Sequence, residues 1–185
     1  MDATEPTWVK VLVVGPFGVG KTTFISSISE IEPLTTEETI TSLSARTDDL
    51  SATPEKSTTT VALDFGRLTL YDDLVLYMFG TPGQERFKEL WEDLTRGALG
   101  ALVLVDPRPE RLKQSFAVLD LVEQFGLAYV IGVNHFDEQR TYPLDEVREA
   151  LSVSPETPVV GCDVRDRASS GKALITLVNH LLSLD

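Results

Sequence analysis

The chain has 185 residues, 42% of them hydrophobic, which suits one domain with its own core. Its 16 Lys and Arg against 29 Asp and Glu leave a net charge of −13, which argues against a basic face for nucleic acid and against electrostatic docking on an anionic membrane. A single cysteine, Cys162, excludes an internal disulfide and suits a cytoplasmic setting, and no leader, membrane-length apolar run or lipidation motif is visible, so no direct membrane anchor is expected.

The run Trp8–Gly15 (WVKVLVVG) is rich in β-branched residues, closes on glycine and predicts a buried strand. Lys21–Ser29 predicts a short helix. From Glu30 to Ser57 the chain is rich in Thr, Ser, Asp and Glu and has no period; residues 30–60 are read as one long mobile loop. TTTVALDFGRLTLY predicts a strand in which Val61, Leu63 and Phe65 share one parity and Leu68 and Leu70 the other, so a bulge or bend is expected at Gly66. Asp72-Asp73 reads as a tight turn into Leu74–Phe79, making an antiparallel hairpin. Further strands are predicted at Leu99–Asp106, Ala128–Asn134 and Pro158–Asp163. Helical spacing is kept by Leu112, Phe116, Leu119 and Val122, by Leu144, Val147 and Leu151, and by Leu174, Leu177, Val178 and Leu181. Alternating strands and helices imply one α/β domain over residues 1–185, with a six-stranded mixed sheet and helices on both faces.

The first strand and first helix are joined by GPFGVGKT (Gly15–Thr22), which matches the phosphate-loop pattern G-x-x-x-x-G-K-S/T in the structural context that pattern requires. Glycines let backbone N–H groups turn toward phosphate oxygens, and the helix N-terminus adds free donors and a favourable dipole. Gly15, Phe17, Gly18, Val19, Gly20, Lys21, Thr22 and Thr23 are therefore candidate nucleotide-binding residues. Lys21 is placed to reach the β- and γ-phosphates, and the Thr22 hydroxyl to bind Mg²⁺.

Three further stretches carry a family resemblance: FGTPGQERF (Phe79–Phe87), VNHFD (Val133–Asp137) and CDVR (Cys162–Arg165). With the phosphate loop, they make nearly the whole chain resemble a Ras-superfamily small GTPase. TPGQ is similar to the corresponding motif of bacterial MglA-type GTPases, and GPFGVGKTT with TPGQ is closer still to the conservon (CvnD-type) GTPases of actinobacteria. The resemblance implies a GTP/GDP-binding switch. Asp137 is matched to the guanine-reading aspartate, Asn134 to the residue that ties its loop to the phosphate loop, and His135 replaces the usual lysine. Asp163 is matched to a loop-orienting role, Val164 to a backbone N–H for the guanine oxygen, and Arg165 to packing on the base. Gly83 and Gln84 correspond to the second switch, with Gln84 orienting the attacking water. Thr60 is matched to the Mg²⁺-binding threonine of the first switch, with Thr59 as its near rival. By resemblance, the partners are a roadblock-type regulator and other conservon proteins, including a histidine-kinase-like membrane protein that recruits the chain to the membrane.

One departure stands out. Where the family carries an aspartate at the end of the second hairpin strand, this chain has Gly80. The resemblance implies that an outer-shell carboxylate on Mg²⁺ is thereby removed; Gly80→Asp is expected either to tighten metal binding or to clash, if glycine is needed there for close approach of the strand or of Thr81-Pro82 to the phosphates. Asp48 or Asp49 are candidates to compensate. Phe17 would obstruct an arginine supplied from outside, so hydrolysis is expected to be slow, with Arg46, Lys56 or Arg86 as candidate cations in cis. Phe87 and Trp91 are candidates for a partner-facing patch. Two alternatives stay open: a nucleotide-bound module without useful hydrolysis, and, less favoured, an ATP-using P-loop kinase.

Overall fold

A computed structural model of the chain describes residues 6–40, 59–70, 74–82, 88–136 and 142–184. Strands β1 (Thr7–Val14), β2 (Leu34–Ile40), β3 (Thr59–Leu70), β4 (Leu74–Gly80), β5 (Ala98–Val105), β6 (Ala128–Asn134) and β7 (Val159–Cys162) form one sheet in the order β2-β3-β4-β1-β5-β6-β7. β1 pairs in parallel with β4 and β5, and β5–β6 and β6–β7 are parallel too. β3 is antiparallel to both β2 and β4. The six expected strands are present. The seventh, β2, lies inside the stretch read as a loop: its Thr- and Glu-rich sequence has no apolar period, and pairing along the edge of β3 makes it a strand.

Helices α1 (Lys21–Ile28), α2 (Lys88–Thr95), α3 (Pro109–Leu112), α4 (Ser115–Gln124), α5 (Leu144–Leu151) and α6 (Arg167–Leu182) flank the sheet. On one face Phe24, Ile25 and Ile28 of α1 and Ala173, Leu174 and Leu177 of α6 pack on Val11, Val13, Leu102 and Leu104. On the other, Trp91, Leu119, Val122, Val147 and Leu151 pack on Leu12, Val103, Ile131 and Val133. β5 and β6 are buried on both faces, as expected of central parallel strands.

Gly66 does not mark a bulge. The β3–β4 register runs without a shift from Asp64↔Gly80 to Leu70↔Leu74. The change of parity arises because β3 feeds both cores, with Leu63 packed on one and Leu68 in the other. Glycine is needed at 66 for close approach: a Cβ there would lie 2.6 Å from Ile25 Cγ2 of α1.

Candidate functional site

The carboxyl ends of β1, β5, β6 and β7 meet around the loop that leads from β1 into α1, the usual place for a ligand in a sheet of this kind. Gly15 leaves β1 with φ 151°, and a Cβ there would stand 2.5 Å from the Leu104 carbonyl oxygen of β5. Gly18 and Gly20 also have positive φ, 75° and 108°. Between them the Val19 side chain is buried and anchors the loop in the core, while Phe17 is exposed. Gly20 caps α1 without a side-chain acceptor, so the donors of the first helical turn, which includes the exposed Thr22 and Thr23, are uncapped.

Lys21 folds over this loop. Its ammonium donates to the carbonyl oxygens of Gly15 at 2.8 Å and Pro16 at 2.9 Å. An ammonium has three N–H bonds; two are anchored on the loop, and among the described residues the third meets no acceptor. Burial lowers the Lys21 pKa to about 8, although the nearby Asp64 carboxylate works in the opposite direction.

On the other side of Lys21, the Thr22 hydroxyl donates to Asp64 Oδ2 at 2.5 Å, across 42 residues of sequence. Asp64 sits on β3 directly opposite Gly80 of β4. Nothing local in the sequence marks it, because its importance depends on the hairpin register. Thr60 lies on β3 paired with Thr39 of β2. Among the described residues no group of three or more His, Cys, Asp or Glu could hold a metal. A metal here would take most of its ligands from phosphate and water, as Mg²⁺ prefers.

At the end of β6, Asn134 joins two loops. Its Nδ2 donates to the Val19 carbonyl at 2.9 Å, and its Oδ1 accepts from the Val164 N–H at 3.3 Å. The Val164 N–H expected to face a guanine oxygen is thus engaged by Asn134, because Nδ2 is held on Val19 and Oδ1 turns toward the β7 loop. Arg165, expected over the base, is paired with Asp163: its backbone N–H, Nε and Nη2 all reach that carboxylate, at 3.0, 2.9 and 2.8 Å. These bonds hold the Asp163 pKa below its ordinary value. Exposed His135 lies beside Gly161, where a Cβ would come 3.0 Å from its Nε2.

A cluster that sequence reading missed stands at the end of β5. Asp106, 1% exposed, accepts from the backbone N–H of Arg108 at 3.1 Å and from its Nε at 2.8 Å, and pairs with Arg111 Nε at 3.6 Å. Arg108 also stacks on the Phe136 ring. Arg111 Nη2 donates to the Phe17 carbonyl at 2.9 Å, so this cluster braces the phosphate loop. DPRPER carries no motif that would single these residues out.

Gly83, Gln84, Arg86, Phe87 and Asp137 lie outside the described residues, as do Arg46, Asp48, Asp49 and Lys56. Trp91 is not partner-facing: it is 1% exposed and stacks on Phe125, because its position on α2 points to the sheet. The more accessible aromatic stripe runs across β1, β3 and β4, with Trp8 on Tyr77 at 5.2 Å and Tyr77 on Phe65 at 5.6 Å.

A glycine loop between a buried strand and a helix, with a lysine folded over it and a donor-rich helix end, defines a P-loop nucleotide-binding domain. The chain belongs to the family described as conserved hypothetical ATP binding protein, which matches residues 13–184. It is 29% identical over 175 residues to an uncharacterized protein of Methanocaldococcus jannaschii, covering 95% of this chain and 96% of that one. Among solved structures it is similar to the cytosolic domain of the T. maritima FeoB iron transporter. The apo form matches with TM-score 0.67 and 16% identity over 95% of this chain, the GDP form with 0.67 over 96%, and the GMPPNP form with 0.66 over 94%. The chain spans 64% of the apo structure's length, and at this identity the likeness is one of fold. Among the described residues, no helix is long and apolar enough to cross a membrane.

Proposed function

We propose that the chain is a guanine-nucleotide switch of the small-GTPase kind, which binds GTP and GDP with Mg²⁺ and hydrolyses GTP slowly. The observation that carries this reading is Asn134. One side chain holds the phosphate loop and the loop after β7 at the mouth of β6, three residues before Asp137. Asp137, matched to the guanine-reading aspartate, has a carboxylate that suits the N1–H and 2-amino group of guanine and would be left unpaired against adenine. The GDP and GMPPNP forms of the FeoB domain agree with this choice.

Residues 30–60 act as the first switch, with Thr60 joining Thr22 on the metal, and Gln84 orients the water. The resemblance to MglA-type and conservon GTPases supports the partners in this reading: a roadblock-type regulator and other conservon proteins, including a histidine-kinase-like membrane protein that recruits the chain. The family's description favours a second reading, adenine. Mass analysis of the nucleotide released from purified protein, followed by titration with GDP and ADP, separates the two. Asp137→Asn should move the preference from guanine toward xanthine nucleotides. ADP binding as tight as GDP in wild type, or unchanged preference in the variant, would overturn guanine recognition.

A further inference from the structure

We propose that Asp64, on β3, supplies the carboxylate that position 80 at the end of β4 lacks, orienting the Thr22 hydroxyl and accepting from water on a Mg²⁺ bound with the nucleotide phosphates. This rests on the nucleotide-binding reading above.

The space at Gly80 points to it first. A Cβ built there would lie 3.1 Å from Asp64 Cβ and 3.3 Å from Asp64 Oδ2. The Asp64 carboxylate therefore fills the volume into which a side chain at 80 would extend. Two residues that face each other across an antiparallel pair share one small region above the sheet, so a carboxylate can enter it from either strand. The chain uses β3, and the glycine on β4 makes room.

The second observation is the bond from Thr22. With its proton given to Asp64, the hydroxyl turns lone pairs away from the carboxylate, the arrangement a metal-binding alcohol needs. The donor set, a hydroxyl beside one carboxylate, fits Mg²⁺, which takes hard oxygen ligands and keeps several waters. Next to Gly80, the Thr81 hydroxyl is buried with no hydrogen-bond partner among the described residues. An orphaned buried hydroxyl is costly, and its presence fits a site that is completed by a ligand.

Gly80→Asp alone should consequently not tighten the metal. It would place a second carboxylate against Asp64 and a Cβ 3.1 Å from Ile25 Cδ1.

The test follows the release of fluorescent GDP from the full chain as free Mg²⁺ is varied, with thermal melts of each variant. Asp64→Asn keeps the shape and removes the charge. It should raise the Mg²⁺ concentration needed for slow release by about 10–100-fold, the usual effect of losing such a partner. The double variant Asp64→Ala/Gly80→Asp should return the Mg²⁺ requirement to within a few-fold of wild type, and Gly80→Asp alone should melt lower without tightening. An unchanged Mg²⁺ requirement in Asp64→Asn would overturn the assignment. So would a double variant no better than Asp64→Asn, since the loss would then come from packing. Wild-type protein that binds GDP but ignores Mg²⁺ would remove this role for Asp64 and leave nucleotide binding standing. Failure to bind GDP at all would remove both.

Discussion

At the phosphate end Lys21 and Thr22 each make charge-assisted contacts, Lys21 to the loop carbonyls and Thr22 to Asp64, whereas at the end of β6 Asn134 joins two backbone segments through one neutral amide. The first region places charge where a polyanion would sit, and its strength varies with protonation. The second carries no charge in its central link and works by fixing distance between loops. In the proposed reading, the phosphate end would supply affinity and the base end geometry.

The sharpest way to break that comparison is Lys21→Ala. It removes the ammonium folded over the phosphate loop, and with it charge-assisted contacts of roughly 1.5–3 kcal/mol each. Nucleotide affinity should fall by at least about 100-fold, measured by fluorescent GDP titration. Wild-type affinity in the variant would show that the loop does not hold phosphate.

Asn134→Ala should have a smaller effect of a different kind. It leaves the Val19 carbonyl and the Val164 N–H without their partner in a buried region, at about 1–3 kcal/mol each. The ligand-free protein should melt lower by at least about 4 °C, and GDP affinity should drop about 10–100-fold. If only affinity changed, Asn134 would be a base contact rather than a strut between loops.

The smallest effect sharpens the division by pH. The Lys21 pKa is lowered by burial from 10.5 to about 8. The folded, ligand-free protein loses this proton as pH passes about 8, while the unfolded chain keeps it until about 10.5. Lys21 thus contributes a charging penalty to folding that is present below pH 8 and relieved as pH rises toward 10.5. Phosphate binding runs the other way, because it needs the ammonium. GDP affinity should be flat from pH 7 to 8 and weaken by up to about tenfold from 8 to 9. A Lys21→Arg variant that still binds should lose this dependence, and Asn134→Ala should keep it.

Much of the fold was legible from local pattern. Hydrophobic runs of the right length marked β1, β5 and β6, and 3.6-residue spacing marked α4, α5 and α6. The edge strand β2 was not, because a polar strand has no period of its own and is defined by pairing with β3. Trp91 illustrates the same limit. Its spacing with Phe87 suggested a patch, but which face of α2 meets the sheet is a matter of docking, and Trp91 is in the core.

The sequence by itself determined the phosphate loop. Gly15, Gly18, Gly20 and Lys21 act within a few residues of one another, and the conformations they require are properties of glycine and of a helix start. Only the tertiary structure decided what stands beside Thr22. Gly80 reads as a loss until the β3–β4 register sets Asp64 opposite it, and Arg111 is an ordinary surface cation until α3 brings it to the Phe17 carbonyl. The physical reason is common to both. A side chain's chemistry is carried by its own residue, but the volume it fills is shared with neighbours that only strand pairing and helix docking bring together.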